Sequence, residues 1–190
     1  MTLTEVERKR ALDTGAQAAL LDRLHELAFR ERARHVEIDD YYSRPDVDFM
    51  ETVECLRVRS RDDFAEITYK PGSTAANTVE GVISKVETNA RLADAEQAAT
   101  ANQLLTMLGM VHLAQVNKHR VEYAHVEDGD VTIAIDTIAN VGIFIEVEVL
   151  TTDPAGAAVL DRVERDLGTT ELPIVSLPYR DLVMQANSPT

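Results

Sequence analysis

The sequence predicts an α+β fold in which antiparallel strands form a sheet that amphipathic helices cover. Several predicted strands carry apolar side chains on one face and charged side chains of both signs on the other. Three further segments have the composition and end signals of helices, which could cover the apolar faces of the strands. We expect a single domain over residues 1–190, because a chain of this length can bury a substantial core without disulfides or a structural metal.

The charge and cysteine content restrict the classes of partner and compartment. The formal charge is −14, from 19 basic and 33 acidic residues, so the chain should repel nucleic acid and anionic membranes unless its bases are concentrated locally. No apolar run is long enough for a transmembrane helix, and the N-terminus lacks the apolar core of a signal peptide. Cys55 is the only cysteine, which excludes an intrachain disulfide and a thiolate metal cluster. We therefore expect a cytoplasmic protein that binds neither nucleic acid nor membranes.

The first predicted strand contains the most informative charge pattern. In Glu5-Val6-Glu7-Arg8-Lys9 the side chains of Glu5, Glu7 and Lys9 share one face of a strand. Two carboxylates and an ammonium on one face could bind a divalent metal and a phosphate together. A helix is an alternative structure for this segment, because Glu and Lys four residues apart stabilise helices.

The later strands repeat this separation of apolar and charged faces. In Phe144–Val149, for example, Glu146 and Glu148 face away from Ile145, Val147 and Val149. Asp128-Gly129 predicts a hairpin turn between two of the strands. The predicted strands are His35–Tyr42, Val53–Arg59, Phe64–Lys70, Val82–Thr88, Asn117–Val126, Val131–Asp136 and Phe144–Val149.

Helices are predicted between these strands and at the C-terminus. Leu20, Leu24 and Leu27 form an apolar stripe in the first helix, and Gly109 ends the second one as a C-cap. Tyr179 begins a run of apolar residues at helical spacing in the tail. The predicted helices cover Thr14–Arg34, Ala93–Leu108 and the segment from about Asp153, a plausible N-cap, to Leu167.

Closing the sheet into a barrel would force its charged face inward, because the helices cover the outside. Such an interior is costly unless a ligand neutralises the charges. Arginine and lysine suit a polyanion of the triphosphate kind, and carboxylates suit hard divalent cations. The basic candidates are Lys9, Arg57, Arg59, Lys70, Lys85, Lys118 and Arg120. The acidic candidates are Glu5, Glu7, Asp136, Glu146 and Glu148.

The ordered set of motifs resembles the CYTH domain of the triphosphate tunnel metalloenzymes, which include class IV adenylate cyclases and thiamine triphosphatases. The resemblance covers about residues 3–184. Its pieces are Glu5-Val6-Glu7-Arg8-Lys9, Asp39-Asp40-Tyr41-Tyr42, Leu56-Arg57-Val58-Arg59, Thr68-Tyr69-Lys70-Pro71-Gly72, Lys118-His119-Arg120, Ile135-Asp136 and Val141 to Glu148.

The resemblance implies an eight-stranded antiparallel barrel whose tunnel binds triphosphate with Mg²⁺ or Mn²⁺. It further implies metal ligation by Glu5, Glu7, Glu146 and Glu148 with Asp136 beside them, and a catalytic set of Glu5, Glu7, Lys9 and Asp136. The phosphate-binding set would be Lys9, Arg57, Arg59, Lys70, Lys85, Lys118 and Arg120. A homodimer is implied by the family alone.

Two details of the resemblance leave alternatives open. Lys85-Val86-Glu87 stands where many members have Arg-x-Glu, and a lysine keeps the charge without the bidentate contact. Either Arg57 or Arg59 could take the family's phosphate-binding role.

The reaction also has alternatives. The Lys-x-Arg strand followed by Tyr123 and the spacing from Asp136 to Glu146 resemble class IV adenylate cyclases, which convert ATP to cyclic AMP and pyrophosphate. These features favour the cyclase, but the Glu-Val-Glu-Arg-Lys motif is also similar to triphosphatases that hydrolyse inorganic triphosphate, thiamine triphosphate or nucleoside triphosphates. The third alternative is a noncatalytic binder of polyphosphate or nucleotide.

Overall fold

A computed structural model of the protein describes residues 4–72, 78–79, 82–85, 87–127, 129–151 and 156–188, without the side chains of residues 4–5, 78–79 and 82–85. The strands are β1 Thr4–Leu12, β2 Phe29–Ser43, β3 Cys55–Arg61, β4 Phe64–Lys70, β5 Thr78–Val79, β6 Val82–Lys85, β7 Thr88–Arg91, β8 Val111–His125, β9 Val131–Ile138 and β10 Gly142–Thr151. The helices are α1 Thr14–Glu26, α2 Gln97–Met107, α3 Gly156–Leu167 and α4 Tyr179–Asn187.

The strands form one antiparallel sheet in the order β5-β6-β1-β10-β9-β8-β2-β3-β4-β7. The first edge includes β6, which pairs with β1, and the other edge is β7, which pairs with β4. Only two residues separate Lys85 at the end of β6 from Thr88 at the start of β7, so one stretch of chain brings the two edges together. No strand pairing joins β5 to β7 in the described residues.

The predicted α+β fold with an antiparallel barrel is confirmed. When β6 and β7 are counted as the single strand predicted over Val82–Thr88, and the two-residue β5 is left aside, eight strands remain. Glu5-Val6-Glu7-Arg8-Lys9 lies within β1, so the strand interpretation of this motif is correct and the helical one is wrong.

The main hydrophobic core lies outside the sheet, where helices cover the apolar strand faces. Val147 of β10 and Ile133 of β9 are almost fully buried against α1 and α3, which contribute Leu24 and Leu160. Burial of such side chains is the main favourable contribution to folding. Because successive residues of a strand point to opposite faces, this outer core turns Glu146 and other charged residues to the interior.

The first helix begins as predicted but ends earlier. The side chain of Asp13 accepts a hydrogen bond of 2.7 Å from the backbone N–H of Ala16 and so caps α1. The helix ends at Glu26, and the prediction that it continues to Arg34 is wrong. Ala28 has a φ of 60°, in the left-handed region, and Phe29–Arg34 pairs with β8 instead.

Other boundaries differ less. Gly109 and Gly168 have φ values of 83° and 72° after α2 and α3, which favours glycine at these helix ends. Strand β8 begins at Val111 rather than Asn117, because its first residues pair with the end of β2. Among the described helices, none is both long and apolar enough to cross a membrane. Three predicted features lie wholly or partly outside the described residues: the centre of the Val82–Thr88 strand, Asp128 of the hairpin turn and the Asp153 cap.

A buried ion cluster fastens β1 to α3. Arg8 and Arg10 project from the outer face of β1, and both contact the carboxylate of Glu164, which is 1% exposed. The distances to Glu164 are 2.6 Å from Nη1 of Arg8 and 2.7 Å from Nε of Arg10. Arg10 also donates to the carbonyl oxygens of Thr170 and Leu172. The strand that carries Glu7 and Lys9 inward is therefore held from outside by charge pairs.

Replacing Glu164 with alanine should destabilise the protein strongly, because two buried guanidinium groups would lose their shared carboxylate. We expect the free energy of unfolding to fall by about 3–5 kcal/mol, measured by urea denaturation. Glu171→Ala, at an exposed position, is the control and should change it by less than about 0.5 kcal/mol. Equal stability of the two variants would contradict a structural role for the cluster.

Candidate active site

The inward faces of the strands and the start of α4 enclose a cavity of about 260 Å³. Charged side chains of both signs make up most of its wall. The basic lining residues are Lys9, Arg57, Arg59, Lys70, Lys118, Arg120 and Arg180. The acidic ones are Glu7, Glu54, Glu66, Glu87, Glu146 and Glu148.

The register between β1 and β10 sets four of these side chains opposite one another. Glu7 pairs with Glu148, and Lys9 pairs with Glu146, in the antiparallel ladder. Side chains directly opposite in such a ladder lie about 5 Å apart at their Cβ atoms. The ladder therefore sets two carboxylates side by side and places an ammonium two residues further along.

Arg59 binds a buried carboxylate from the neighbouring strand. Its Nε and Nη2 atoms donate hydrogen bonds of 2.6 and 2.7 Å to the two carboxylate oxygens of Asp39. Burial alone would raise the pKa of Asp39, but Arg59 and Arg57 lower it to about 2. This carboxylate therefore stays ionised inside the barrel.

A second set of ion pairs crosses β8, β9 and β10. Arg120 donates hydrogen bonds of 2.8 and 2.6 Å to Asp136 and a further one to Glu146. Lys118 lies 3.7 Å from Asp136 and 2.8 Å from Glu37. Burial would raise the pKa of Glu146, but Arg120 and Lys118 hold it at about 2.

The third set involves the side of the cavity formed by β3 and β4. Nζ of Lys70 lies 2.6 Å from a carboxylate oxygen of Glu87, the residue between β6 and β7. Arg57 lies 3.9 Å from the other oxygen of Glu87 and 3.6 Å from Asp39. These longer distances leave Arg57 less tightly paired than Arg59.

Lys9 is bound differently from the other bases. Its ammonium donates a hydrogen bond of 2.7 Å to the carbonyl oxygen of Leu177 and lies 4.0 Å from the ring centroid of Tyr179. It has no ion pair within 4 Å in the part of the chain that the structure describes. Burial lowers its pKa, although Glu146 and Glu7 partly offset this effect.

Helix α4 contributes Tyr179 to the same group of contacts. The hydroxyl of Tyr179 donates a hydrogen bond of 2.9 Å to Asp136, and burial raises the pKa of the phenol, so it remains a donor. Arg180 donates to the carbonyl oxygen of Glu54 at 3.0 Å and so anchors α4 beside β3. The start of α4 thereby becomes part of the cavity wall.

The carboxylates facing each other across β1 and β10 fit a divalent cation by their charge. Burial raises the pKa of Glu148, and the negative charges of Glu7 and Glu146 raise it further. Such an excess of negative charge is what a hard cation relieves, because it binds carboxylate oxygens. No group of three or more metal-ligating side chains is already assembled in the described part of the chain. Asp136 and Glu146 contact Arg120 instead.

The structure thus brings most of the predicted site residues to one cavity, while their roles stay predictions. Lys9, Arg57, Arg59, Lys70, Lys118, Arg120, Glu7, Glu146 and Glu148 line it, and Asp136 lies behind Arg120. The backbones of Glu5 and Lys85 are paired at the edge between β1 and β6, but their side chains lie outside the described residues.

Sequence reasoning missed several inward-facing residues. Glu37 and Asp39 alternate along β2 in the same way as Glu7 and Lys9 along β1, so the period of two could have identified them. Glu87 could have been identified from the Lys85-Val86-Glu87 motif, in which it lies two residues after Lys85. Tyr179 gave no such signal, because its helical spacing with apolar residues is typical of a core position.

Comparison with known proteins agrees with this architecture. The chain belongs to the CYTH domain family, whose model matches residues 3–170. Enzymes of this family act on triphosphate substrates and generally depend on divalent metal ions. Helix α4 and Tyr179 lie beyond the matched residues.

Individual relatives carry related names. The "Putative adenylate cyclase MJ0240" of Methanocaldococcus jannaschii is 27% identical over 148 residues, which cover 77% of each chain. The solved structure of the PH1819 protein from Pyrococcus horikoshii OT3 superposes with a TM-score of 0.79 at 24% identity, covering 95% of this chain and 98% of that one. The structure of the "Putative adenylyl cyclase HpAC1" from Hippeastrum, described as having "a dominant" triphosphatase activity, superposes with a TM-score of 0.67 at 18% identity, covering 100% of this chain and 98% of that one.

The stability of the protein should fall in acid partly through Asp39. Its pKa is about 2 in the folded protein against an ordinary 3.8, so its contribution is present above about pH 4 and is lost as the pH falls toward 2. The contribution is on the order of 2 kcal/mol. Urea denaturation of the wild type and of Asp39→Asn at pH 5 and pH 2 measures it. The variant should lose less stability between these pH values than the wild type, and an identical loss would contradict the assignment.

Proposed function

We propose that the protein is a divalent-metal-dependent enzyme that acts on triphosphate substrates inside the barrel, with ATP cyclisation to cyclic AMP and pyrophosphate as its first candidate reaction. The observation that carries the proposal is the arrangement across β1 and β10. There Lys9, which has no carboxylate partner within 4 Å in the described residues, adjoins the facing carboxylates Glu7 and Glu148. A phosphate donor beside a cation-binding pair is the combination that a metal–triphosphate complex requires.

The basic side chains of the cavity would bind the phosphate oxygens. Lys9 has no ion pair in the described residues that a phosphate group would have to replace. Arg57 lies 3.6 Å from Asp39, whereas Arg59 lies 2.6 Å from it. Lys118 and Arg120 would have to share their carboxylate partners with the phosphate groups. Lys70 and Lys85 complete the proposed set, Lys85 on the strength of the family motif alone.

Glu7 and Glu148, together with Glu146 and Glu5, would hold Mg²⁺ or Mn²⁺, with Asp136 beside them. The bound cation would neutralise phosphate charge and stabilise the charge that develops on the phosphoryl group. Tyr179 fixes Asp136 through its hydroxyl, and its ring fixes the ammonium of Lys9. These contacts keep the proposed catalytic residues Lys9 and Asp136 in place before the substrate enters.

Two reactions are compatible with this machinery. In cyclisation the ribose 3′-hydroxyl attacks the α-phosphorus of ATP, and pyrophosphate leaves. In hydrolysis water attacks the terminal phosphorus of inorganic triphosphate, thiamine triphosphate or a nucleoside triphosphate. The name of the Methanocaldococcus relative favours cyclisation, whereas the triphosphatase activity given for the Hippeastrum protein supports hydrolysis as the second candidate.

Parallel product assays separate the candidates. The purified protein is incubated with Mn²⁺ or Mg²⁺ and with ATP, inorganic triphosphate or thiamine triphosphate. Cyclic AMP and pyrophosphate in equal amounts from ATP would establish the cyclase. Orthophosphate without cyclic nucleotide would establish a triphosphatase, and binding without turnover would support the noncatalytic alternative.

The single domain, the cytoplasmic location and the homodimer stay predictions.

Glu7→Gln should lower turnover by about 100-fold or more, because it removes one charge from the proposed cation-binding pair while preserving its shape. Glu146→Gln should have a similar effect. The assay is the product measurement above, with thermal unfolding to verify the fold and Glu171→Gln, at an exposed position, as the control. Wild-type turnover in the Glu7 variant would remove this residue from the metal site.

Lys9→Met should weaken triphosphate binding about 10- to 100-fold, because it removes a charged hydrogen-bond donor and keeps the length of the side chain. Titration calorimetry with a non-hydrolysable methylene-bridged triphosphate and Mn²⁺ measures the change. An unchanged dissociation constant would show that Lys9 does not contact the phosphates.

A further inference from the structure

The interior of the barrel contains more acids than bases. Seven basic and six acidic side chains line the cavity. Behind the basic side chains, four further carboxylates form direct ion pairs with them, and one of these, Glu37, also lies 3.4 Å from Arg61. The four carboxylates are Glu37, Asp39, Asp136 and Asp181. This part of the described structure therefore contains ten acids and eight bases. A triphosphate therefore meets an interior in which carboxylates outnumber basic groups and most of the bases are already paired.

Glu37 occupies a central position among these compensating carboxylates. It lies on the inward face of β2 and is 1% exposed. One of its carboxylate oxygens is 2.8 Å from Nζ of Lys118 and 3.1 Å from Nη2 of Arg59. Lys118 and Arg59 both line the cavity, whereas Glu37 does not. Glu37 therefore contacts, on the side away from the cavity, two of the basic groups that the substrate would contact.

Glu37 is ionised in this environment. Burial would raise its pKa, but the charges of Lys118, Arg59 and Arg120 keep it well below the ordinary value for a glutamate. Its distance to Lys118 is also the distance at which an ammonium binds a phosphate oxygen. A carboxylate so placed competes with phosphate for the same cations.

We propose that Glu37 is an internal counter-anion that competes with triphosphate for Lys118 and Arg59, and so makes triphosphate binding conditional on a divalent cation. The inference rests on the proposed function, since it concerns the same ligand. It makes Glu37 a specificity-determining residue. Free triphosphate is rejected because its charge adds to that of Glu37 and the neighbouring carboxylates. The metal complex is accepted because the cation offsets this charge.

Glu37→Gln tests the proposal, because the amide keeps the shape of the side chain and removes its charge. Titration calorimetry with a non-hydrolysable methylene-bridged triphosphate is performed with Mn²⁺ and, separately, with EDTA. The wild type should bind at least about 100-fold more weakly in EDTA. The variant should gain at least about 10-fold in affinity in EDTA and change by only a few-fold in Mn²⁺.

Asp40→Asn is the matched control. Asp40 is the outward-facing residue three positions along the same strand, where it contacts His112, and its replacement removes the same charge. This variant should keep the wild-type ratio of affinities. Circular dichroism and thermal unfolding verify the fold of both variants.

Two results would overturn the inference and leave the proposed function intact. One is a folded Glu37→Gln protein with no gain in metal-free affinity. The other is wild-type binding in EDTA that is as tight as in Mn²⁺, a measurement that does not depend on any variant. Absence of binding in Mn²⁺ by the wild type would instead overturn the proposed function itself, and the inference with it.

Discussion

The burial of charge inside the barrel is the constraint on which the rest of the structure depends. A buried ion is costly unless it is paired and hydrogen-bonded, and the interior satisfies this requirement by sharing carboxylates between bases. Asp136 contacts both Lys118 and Arg120 and accepts a third contact from Tyr179. Two of the catalytic candidates, Lys9 and Asp136, are therefore not independent side chains. Both contact Tyr179, so they belong to one network that is in place before any ligand binds.

The same constraint acts on the outside of β1. Its inward residues Glu7 and Lys9 face the cavity, and its outward residues Arg8 and Arg10 are buried beneath α3 with Glu164. A strand with charges on both faces has few apolar contacts to fix its register. Ion pairs help to hold the strand on the outer side, while the inner side chains Glu7 and Lys9 line the cavity. Positioning and binding are thus divided between the two faces of one strand.

The sequence predicted the features that depend on a local period and missed those that depend on distant partners. The alternation of apolar and charged residues along β1, β3, β8 and β10 was sufficient to predict that Lys9, Arg120 and Glu146 face inward. The end of α1 could not be predicted, because Phe29–Arg34 leaves the helix to pair with β8, far along the chain. The sharing of Arg120 between Asp136 and Glu146 depends on the register of three strands. The hydrogen bond from Tyr179 to Asp136 joins residues that are 43 positions apart in the sequence, and no motif predicted it.

The pairing of β1 with β10 also has a consequence for the order of folding. Thr4 lies opposite Thr151, so β10, the longer partner of β1, is synthesised only after β2 to β9. Contacts so distant in sequence carry a large loop-closure entropy and are typical of slowly folding β proteins. Strand β1, with Glu7 and Lys9, can complete this pairing only after β2 to β9 have been synthesised. The side of the cavity formed by β1 and β10 can therefore form only after the strands between them in the chain are available to pair with one another.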